Sequence, residues 1–426
     1  MRIGISPEPP PLPRRFPDNL PPLPEANFPE PPPLPVFVLA PPVEPPPLPV
    51  WETSEPKKPF GFFDLIRVCF SAVNWLFGLA SLMVFLAVLA AIPVFQFLSL
   101  GYMLEAAARV AKSGRLRDGF IGIRLVGRLG GIVAASWLLV LPIRLTADFA
   151  RTAEIINPDG QNAATWRFGV YLLAAVTAFH ISMAVARGGK LRYFLWPFNF
   201  VNVLLRVIRG GAYAEARDAT WDLVMSLRLP YYFWIGFRGF IGALMWLAIP
   251  VSLLALGHAK FGAAPLVGFL GGMMLALVLI YLPLLQLRIA TEKRFSAVFE
   301  WCAVRRTFAR APWAISFAFV ISLAFALPLY LLKIEVVPSE AEWLPALVFM
   351  VFIFPARLLM GWAVGRAGKR QRPRHWFFRI TGKLPLLPAA GFYVLIVFFS
   401  QYTSWNGVLS LYEQHAFLLP VPFFGM

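Results

Sequence analysis

The stretch VCFSAVNWLFGLASLMVFLAVLAAIPVFQFLSLGYML, Val68–Leu104, runs for 37 residues without a charge. As one helix it would reach roughly 55 Å at 1.5 Å per residue, against a hydrocarbon layer of about 30 Å. That is too long for one crossing and barely enough for two. Pro93 has no amide hydrogen to donate, so a helix break there costs little. Lys57, Lys58 and Arg67 in front of the run favour a cytoplasmic start. A broken or re-entrant hairpin turning near Ala90–Pro93 satisfies both ends. The alternative is a single long span with the preceding tail outside.

Outward from this run the chain keeps the same character. Hydrophobic residues make up 58% and charged residues 14% of the 426, where soluble domains carry roughly a quarter charged. Phe168–Ala186, Gly239–Gly257, Phe261–Leu287, Trp313–Leu332 and Leu384–Tyr412 each approach or exceed the ~20 apolar residues a crossing needs. Leu129–Ile143 and Trp343–Ala356 are shorter. Both count as crossings if Arg144 and Arg357 snorkel to an interface. The expected fold is therefore an all-α polytopic integral membrane helical bundle of eight or nine segments over residues 60–426, preceded by a disordered proline-rich tail over residues 1–59.

The charges arrange these segments. Loops 105–128, 187–238, 288–312 and 357–383 hold 28 of the chain's 39 Lys and Arg. The alternating connections differ: 144–167 balances three basic against three acidic residues, 258–260 carries only Lys260, 333–342 has one Lys against three Glu, and the end after Tyr412 has one Glu. Translocation of Lys and Arg is disfavoured, so basic loops stay cytoplasmic. This places the basic loops inside and the C-terminus outside, in a cell membrane crossed many times. Formal net charge is +17, but the concentration of cations in alternate inter-span loops speaks for lipid rather than nucleic acid. Each basic loop closes one span running in and opens one running out, so the body reads as four units. Pro93-Val-Phe-Gln96 followed by a basic stretch and Pro142 is echoed by Pro283-Leu-Leu-Gln286 followed by a basic stretch and Pro328. Bilayer constraints without duplication account for that echo equally well.

The tail spells EPPPLP three times, at Glu8–Pro13, Glu30–Pro35 and Glu44–Pro49, and 22 of its first 59 residues are Pro. Such a segment cannot bury enough apolar surface to fold and favours an extended polyproline II rod. It is either a spacer or a ligand for an aromatic-lined groove of a protein partner, with repetition adding avidity. No apolar stretch of signal-peptide type precedes the prolines.

No motif for catalysis stands out: HExxH, GxSxG and a P-loop are missing from the sequence, and every Asp and Glu lies outside the apolar runs. Cys69 and Cys302 are too few and too far apart for a disulfide framework or a thiolate metal site. His180 is the one histidine inside an apolar run, where a packing hydrogen bond is the simpler role. Gln96, Gln286, Asn74 and Gln401 are neutral amides suited to interhelical bonds. Glycines at Gly236-x-x-Gly239 and Gly271-Gly272 permit close helix approach. The expectation is a protein without catalytic residues, metal or cofactor.

The basic loops offer the one candidate contact. In RAGKRQRPRHWFFRITGK, Arg366–Lys383, the cations Arg366, Lys369, Arg370, Arg372, Arg374, Arg379 and Lys383 surround Trp376, a composition suited to anionic lipid headgroups with rings at the interface. The functional expectation is a membrane scaffold or assembly component that contacts lipid through these loops and recruits a partner through EPPPLP. The alternative is a channel or transporter for an uncharged or anionic solute.

The stretch IPVFQFLSLGYMLEAAARVAKSGRLRDGF, Ile92–Phe120, resembles a group of uncharacterised bacterial multi-pass membrane proteins classed as a domain of unknown function. Pro93, Gly101, Tyr102, Arg109, Asp118 and Phe120 match the group's outline. The chain departs from it in having a basic loop where those proteins carry several acids and often a Trp. The resemblance implies a bacterial cytoplasmic membrane and a re-entrant first segment, and carries no activity.

Overall fold

Pro93 and Val94 break the 37-residue run. In the computed structural model, which describes residues 62–158, 160–196, 198–208, 210, 212–332, 343–402 and 407–413, helix α1 (Phe62–Ala91) ends there and α2 (Gln96–Ser113) begins. Val94 takes φ +71° between them, and Ser99 Oγ on α2 donates to Leu86 O on α1 at 2.8 Å. The chain doubles back as a hairpin, with Ser99 tying α2 to α1 and Pro93, which has no amide hydrogen, placed in the break. The proline-rich tail, the 333–342 connection and the end beyond residue 413 lie outside the described residues.

The other helices are α3 (Ile123–Ile156), α4 (Gln161–Ala186), α5 (Leu191–Leu195), α6 (Asn199–Ile208), α7 (Ala212–Ser226), α8 (Leu229–Leu256), α9 (Ala264–Glu292), α10 (Trp301–Arg310), α11 (Pro312–Leu332), α12 (Trp343–Gly368), α13 (Trp376–Thr381), α14 (Leu386–Ser400) and α15 (Ser410–Glu413). No strand occurs among the described residues. Seven stretches among them are helical, long and apolar enough to cross a membrane, and eight if the pair α10 and α11, bent by 110° at Ala311, counts as one.

Helix α2 is not in that number because Glu105, Arg109 and Lys112 dilute its apolar run, yet it is the centre of the bundle. It packs against α1, α8, α9 and α12. Leu100, Met103, Leu104 and Ala106 have no exposed surface. Small residues make this possible. A Cβ on Gly101 would sit 1.8 Å from Tyr232 O, and one on Gly236 would sit 1.8 Å from Phe97 O; both helices meet backbone to backbone. Gly271 does the same against Leu254 N, at 2.4 Å, where α9 runs antiparallel to α8. The hairpin of α3 and α4 hangs on α1 at the side of the bundle, and most of its apolar surface is exposed.

Arg357 departs from expectation. It was to end its span and snorkel, but α12 runs on to Gly368 and Arg357 is 6% exposed inside the bundle. It donates to Gln286 Oε1 at 2.8 Å, and Gln286 Nε2 donates to Gly239 O at 3.1 Å. A guanidinium can stay inside because the amide of α9 turns an acceptor towards it and passes its own donors to α8. Similarly α3 does not end at Ile143 but continues through the exposed Arg144 to Ile156.

A repeated turn organises the basic end. Val110-Ala-Lys-Ser-Gly-Arg-Leu-Arg117 after α2 parallels Val185-Ala-Arg-Gly-Gly-Lys-Leu-Arg192 after α4. In each, a glycine takes the left-handed conformation (Gly114, φ +72°; Gly189, φ +62°), and the next cation is extended (Arg115, ψ 122°; Lys190, ψ 141°). A short helical turn follows, Leu116–Gly119 or Leu191–Leu195. After α9 the same sequence of conformations recurs with Lys293 (φ +58°), Arg294 (ψ 140°) and the turn Phe295–Phe299. Left-handed residues end helices by satisfying their last carbonyls, and the Gly114 and Lys293 amides do so, donating to Val110 O at 2.7 Å and Ile289 O at 2.9 Å. The Pro93 and Pro283 echo is not the repeat: Pro93 lies in the break between two helices and Pro283 inside α9.

Candidate functional site

The four basic turns are tied to one another at one end of the bundle. Arg128 Nε at the start of α3 donates to Gly188 O at 3.0 Å, and Arg238 Nη1 on α8 donates to Lys293 O at 3.0 Å. Arg374 N donates to Ala309 O at 2.8 Å, joining the last turn to α10. Gly114, in the first turn, faces the Lys369 side chain of the last. At the opposite end His258 Nε2 lies 3.3 Å from Tyr402 Oη, and Ser252 Oγ lies 2.8 Å from Tyr412 Oη.

Several of these cations are positioned by acids and rings. Glu105 on α2 is almost buried and accepts from Tyr231 Oη at 2.8 Å and Arg109 Nε at 3.1 Å, which fastens α2 to α8 at the basic end. Lys293 Nζ lies 5.4 Å from the Tyr231 ring. Glu300, between Phe299 and α10, pairs with Arg288 and with Arg294, the latter at 2.5 Å. The Arg288 guanidinium hydrogen-bonded to it, with Arg294 beside it, holds the Glu300 carboxyl below the usual carboxylate range.

The residues expected at lipid headgroups fall into three groups. Arg366 stacks on Trp362 at 5.0 Å and Arg374 on Phe378 at 5.0 Å, while Arg370 reaches Arg310 O at 3.4 Å. Lys369, Arg372 and Trp376 are exposed. Arg379 and Lys383 alone are brought into a recess, a cleft of about 240 Å³ whose rim also carries Arg305 of α10. Tyr281 and Leu284 of α9, Phe308 of α10, Phe319 of α11, Met360 of α12 and Leu386 of α14 line it. Arg305 was missed as a site residue because its loop was read as topology alone. The signal was there: Val304 and Phe308 on one face, Arg306 and Arg310 on the other and Arg305 at the border between them make α10 amphipathic.

The polar residues a solute path would need are scattered. Gln286 is engaged with Arg357 and Gly239, while His180 Nε2 lies 2.9 Å from Phe194 O in a separate small cluster between α3, α4 and α5. Gln96 opens α2 just past the hairpin break. Among the described residues no group of three or more His, Cys, Asp or Glu is placed to hold a metal ion. No protein-family model, no curated protein and no solved structure matches the chain.

Proposed function

We propose that this chain is a non-enzymatic scaffold of a bacterial cytoplasmic membrane, seated on the inner leaflet by its basic turns and recruiting a cytoplasmic protein through its EPPPLP repeats. The observation that supports this reading most is the mutual fastening of the four basic turns at one end of an apolar bundle. Cations there are held by backbone carbonyls, rings and two acids, so they form a fixed positive face, as expected of a surface that meets anionic headgroups at about 1 kcal/mol per Lys or Arg. In this orientation the described turns at the other end, and the C-terminal end of helix α14, finish outside. The bent helix α10, amphipathic and set at 110° to α11, suits the plane of the interface.

Gln286 bonds to α12 and α8, and Ser99 of α2 to α1, and such bonds between helices suit a packed structural element. A channel or transporter would need a water-accessible cavity near mid-membrane lined by Gln96, His180 or Gln286, and none of the three lines the clefts at Tyr281, His258 or Tyr102.

The test is removal of residues 1–59. Under this proposal the truncated protein inserts normally but loses its cytoplasmic partner in cross-linked membrane extracts. An unchanged set of co-purifying proteins removes the recruiting role.

A further inference from the structure

The cleft beneath Arg305, Arg379 and Lys383 has the two-part chemistry of a single lipid. Its rim is cationic, and its floor is apolar and elongated. Leu277, Ile280, Tyr281 and Leu284 follow one another along a single face of α9 at helical spacing, and Phe319 of α11 stands opposite. Leu277 and Phe319 are the ends of this floor farthest from the basic turns along their helices, and Leu284 and Ile315 the nearest. The floor therefore runs about 10 Å from the charged rim toward the middle of the bundle at 1.5 Å per residue. A helix pair could have closed this gap. Instead the sharp bend at Ala311 carries α10 across the end of the bundle, and the crevice stays open between α9 and α14 with Leu277 and Leu387 exposed at its lips.

We propose that this cleft binds one anionic phospholipid, its phosphate against Arg305, Arg379 and Lys383 and one acyl chain laid along the Leu277–Leu284 face of α9. The proposal rests on the reading that the basic turns lie at headgroup level. It goes beyond that reading because it assigns a saturable site with one occupant, not a diffuse attraction. The occupant follows from the two halves together. A free phosphate would leave the apolar floor unfilled, and a neutral lipid would leave three cations on the rim uncompensated. The rim cations also come from three separate elements, α10, α13 and the turn after it, so they meet only because the fold converges there.

The test uses the delipidated full-length protein in a neutral detergent, titrated with dioleoyl phosphatidylglycerol or dioleoyl phosphatidylcholine and read by native mass spectrometry. One phosphatidylglycerol per chain, about tenfold or more preferred over phosphatidylcholine, is the expected result. Arg305→Gln/Arg379→Gln/Lys383→Gln lowers its affinity roughly a hundredfold, at about fivefold per cation, and Ile280→Trp, which fills the floor and keeps the cations, also displaces it. The charge-matched control Arg144→Gln/Arg151→Gln/Lys260→Gln leaves it in place.

Equal retention of the two lipids by the wild type overturns the proposal without recourse to any variant. So does displacement by millimolar inorganic phosphate, or a graded series of bound lipids with no single preferred one. The scaffold reading is judged separately. A wild type that shows no lipid preference but loses its partner with residues 1–59 keeps the scaffold and loses the lipid site, and the converse pattern does the reverse.

Discussion

Arg357 of α12 donates to Gln286 of α9 at 2.8 Å, and both are buried, 6% and 0% exposed. A charge and an amide removed from solvent are costly unless each serves the other. Replacing Gln286 by Leu should destabilise the protein by about 2–4 kcal/mol, because it leaves a guanidinium with fewer acceptors. The double variant Gln286→Leu/Arg357→Met should lose less than the two single variants together, with a coupling of roughly 1–2 kcal/mol. Thermal unfolding in detergent checks this, and strict additivity would show that the pair is incidental.

The crossing of α2 and α8 makes a sharper contrast. Gly101→Ala and Gly236→Ala each place a methyl where a carbonyl oxygen already stands, 1.8 Å away, and the helices must separate to admit it. Each should cost about 3 kcal/mol or more. Gly169→Ala, in α4 with nothing within 4 Å of the added carbon, should be neutral or gain up to ~1 kcal/mol through helix propensity. Comparable losses at all three positions would mean that the bundle is not packed as described.

These two regions mark what could be read in advance. The hairpin break at Pro93 and Val94, the apolar helices and the grouping of cations in four turns all follow from composition and spacing, because charge and length are local properties of a sequence. The close-approach glycines Gly236, Gly239 and Gly271 were likewise legible. Arg357 was not, since nothing next to it in the sequence reveals that Gln286, 71 residues earlier, would meet it inside the bundle. Glu105 was overlooked for a related reason: its partner Tyr231 is 126 residues away, and a carboxylate at the end of an apolar run reads as a loop residue. Arg305 could not be joined to Arg379 and Lys383 until the bend at Ala311 was known.

Acid should act at Glu300. Its carboxyl ionises more readily in the fold than at the ordinary value of 4.5, because Arg288 and Arg294 hold the charged form. A carboxyl so depressed contributes stability that is complete above the ordinary value and is lost as pH falls through the lower, folded one. The link between α9 and α10 should therefore loosen only below about pH 4.5, seen as faster amide exchange in Trp301–Arg310. Glu300→Gln should exchange faster at neutral pH and lose that acid-dependent step. A wild type and variant with parallel acid profiles would assign the step to another group.

Orientation is the prediction on which the functional reading turns. The basic turns are proposed to face the cytoplasm, and Gly257–Ala263, between α8 and α9, to face outward. Arg372 and Ala259 are both exposed and stand in turns of opposite character, so they report the two sides without disturbing the bundle. The native thiols Cys69 and Cys302 are exposed as well and must first be replaced by Ser. In that background a membrane-impermeant maleimide added to intact cells should label Ala259→Cys and should leave Arg372→Cys unlabelled until the cells are opened. The physical ground is that moving several closely spaced Arg and Lys across the bilayer is disfavoured at ~2.5–3.5 kcal/mol for each charge at the bilayer centre, whereas the 258–260 turn carries only Lys260. Labelling of Arg372→Cys from outside would invert the map, place the positive face on the wrong leaflet for anionic lipid, and remove the reason for seeking a cytoplasmic partner for the tail.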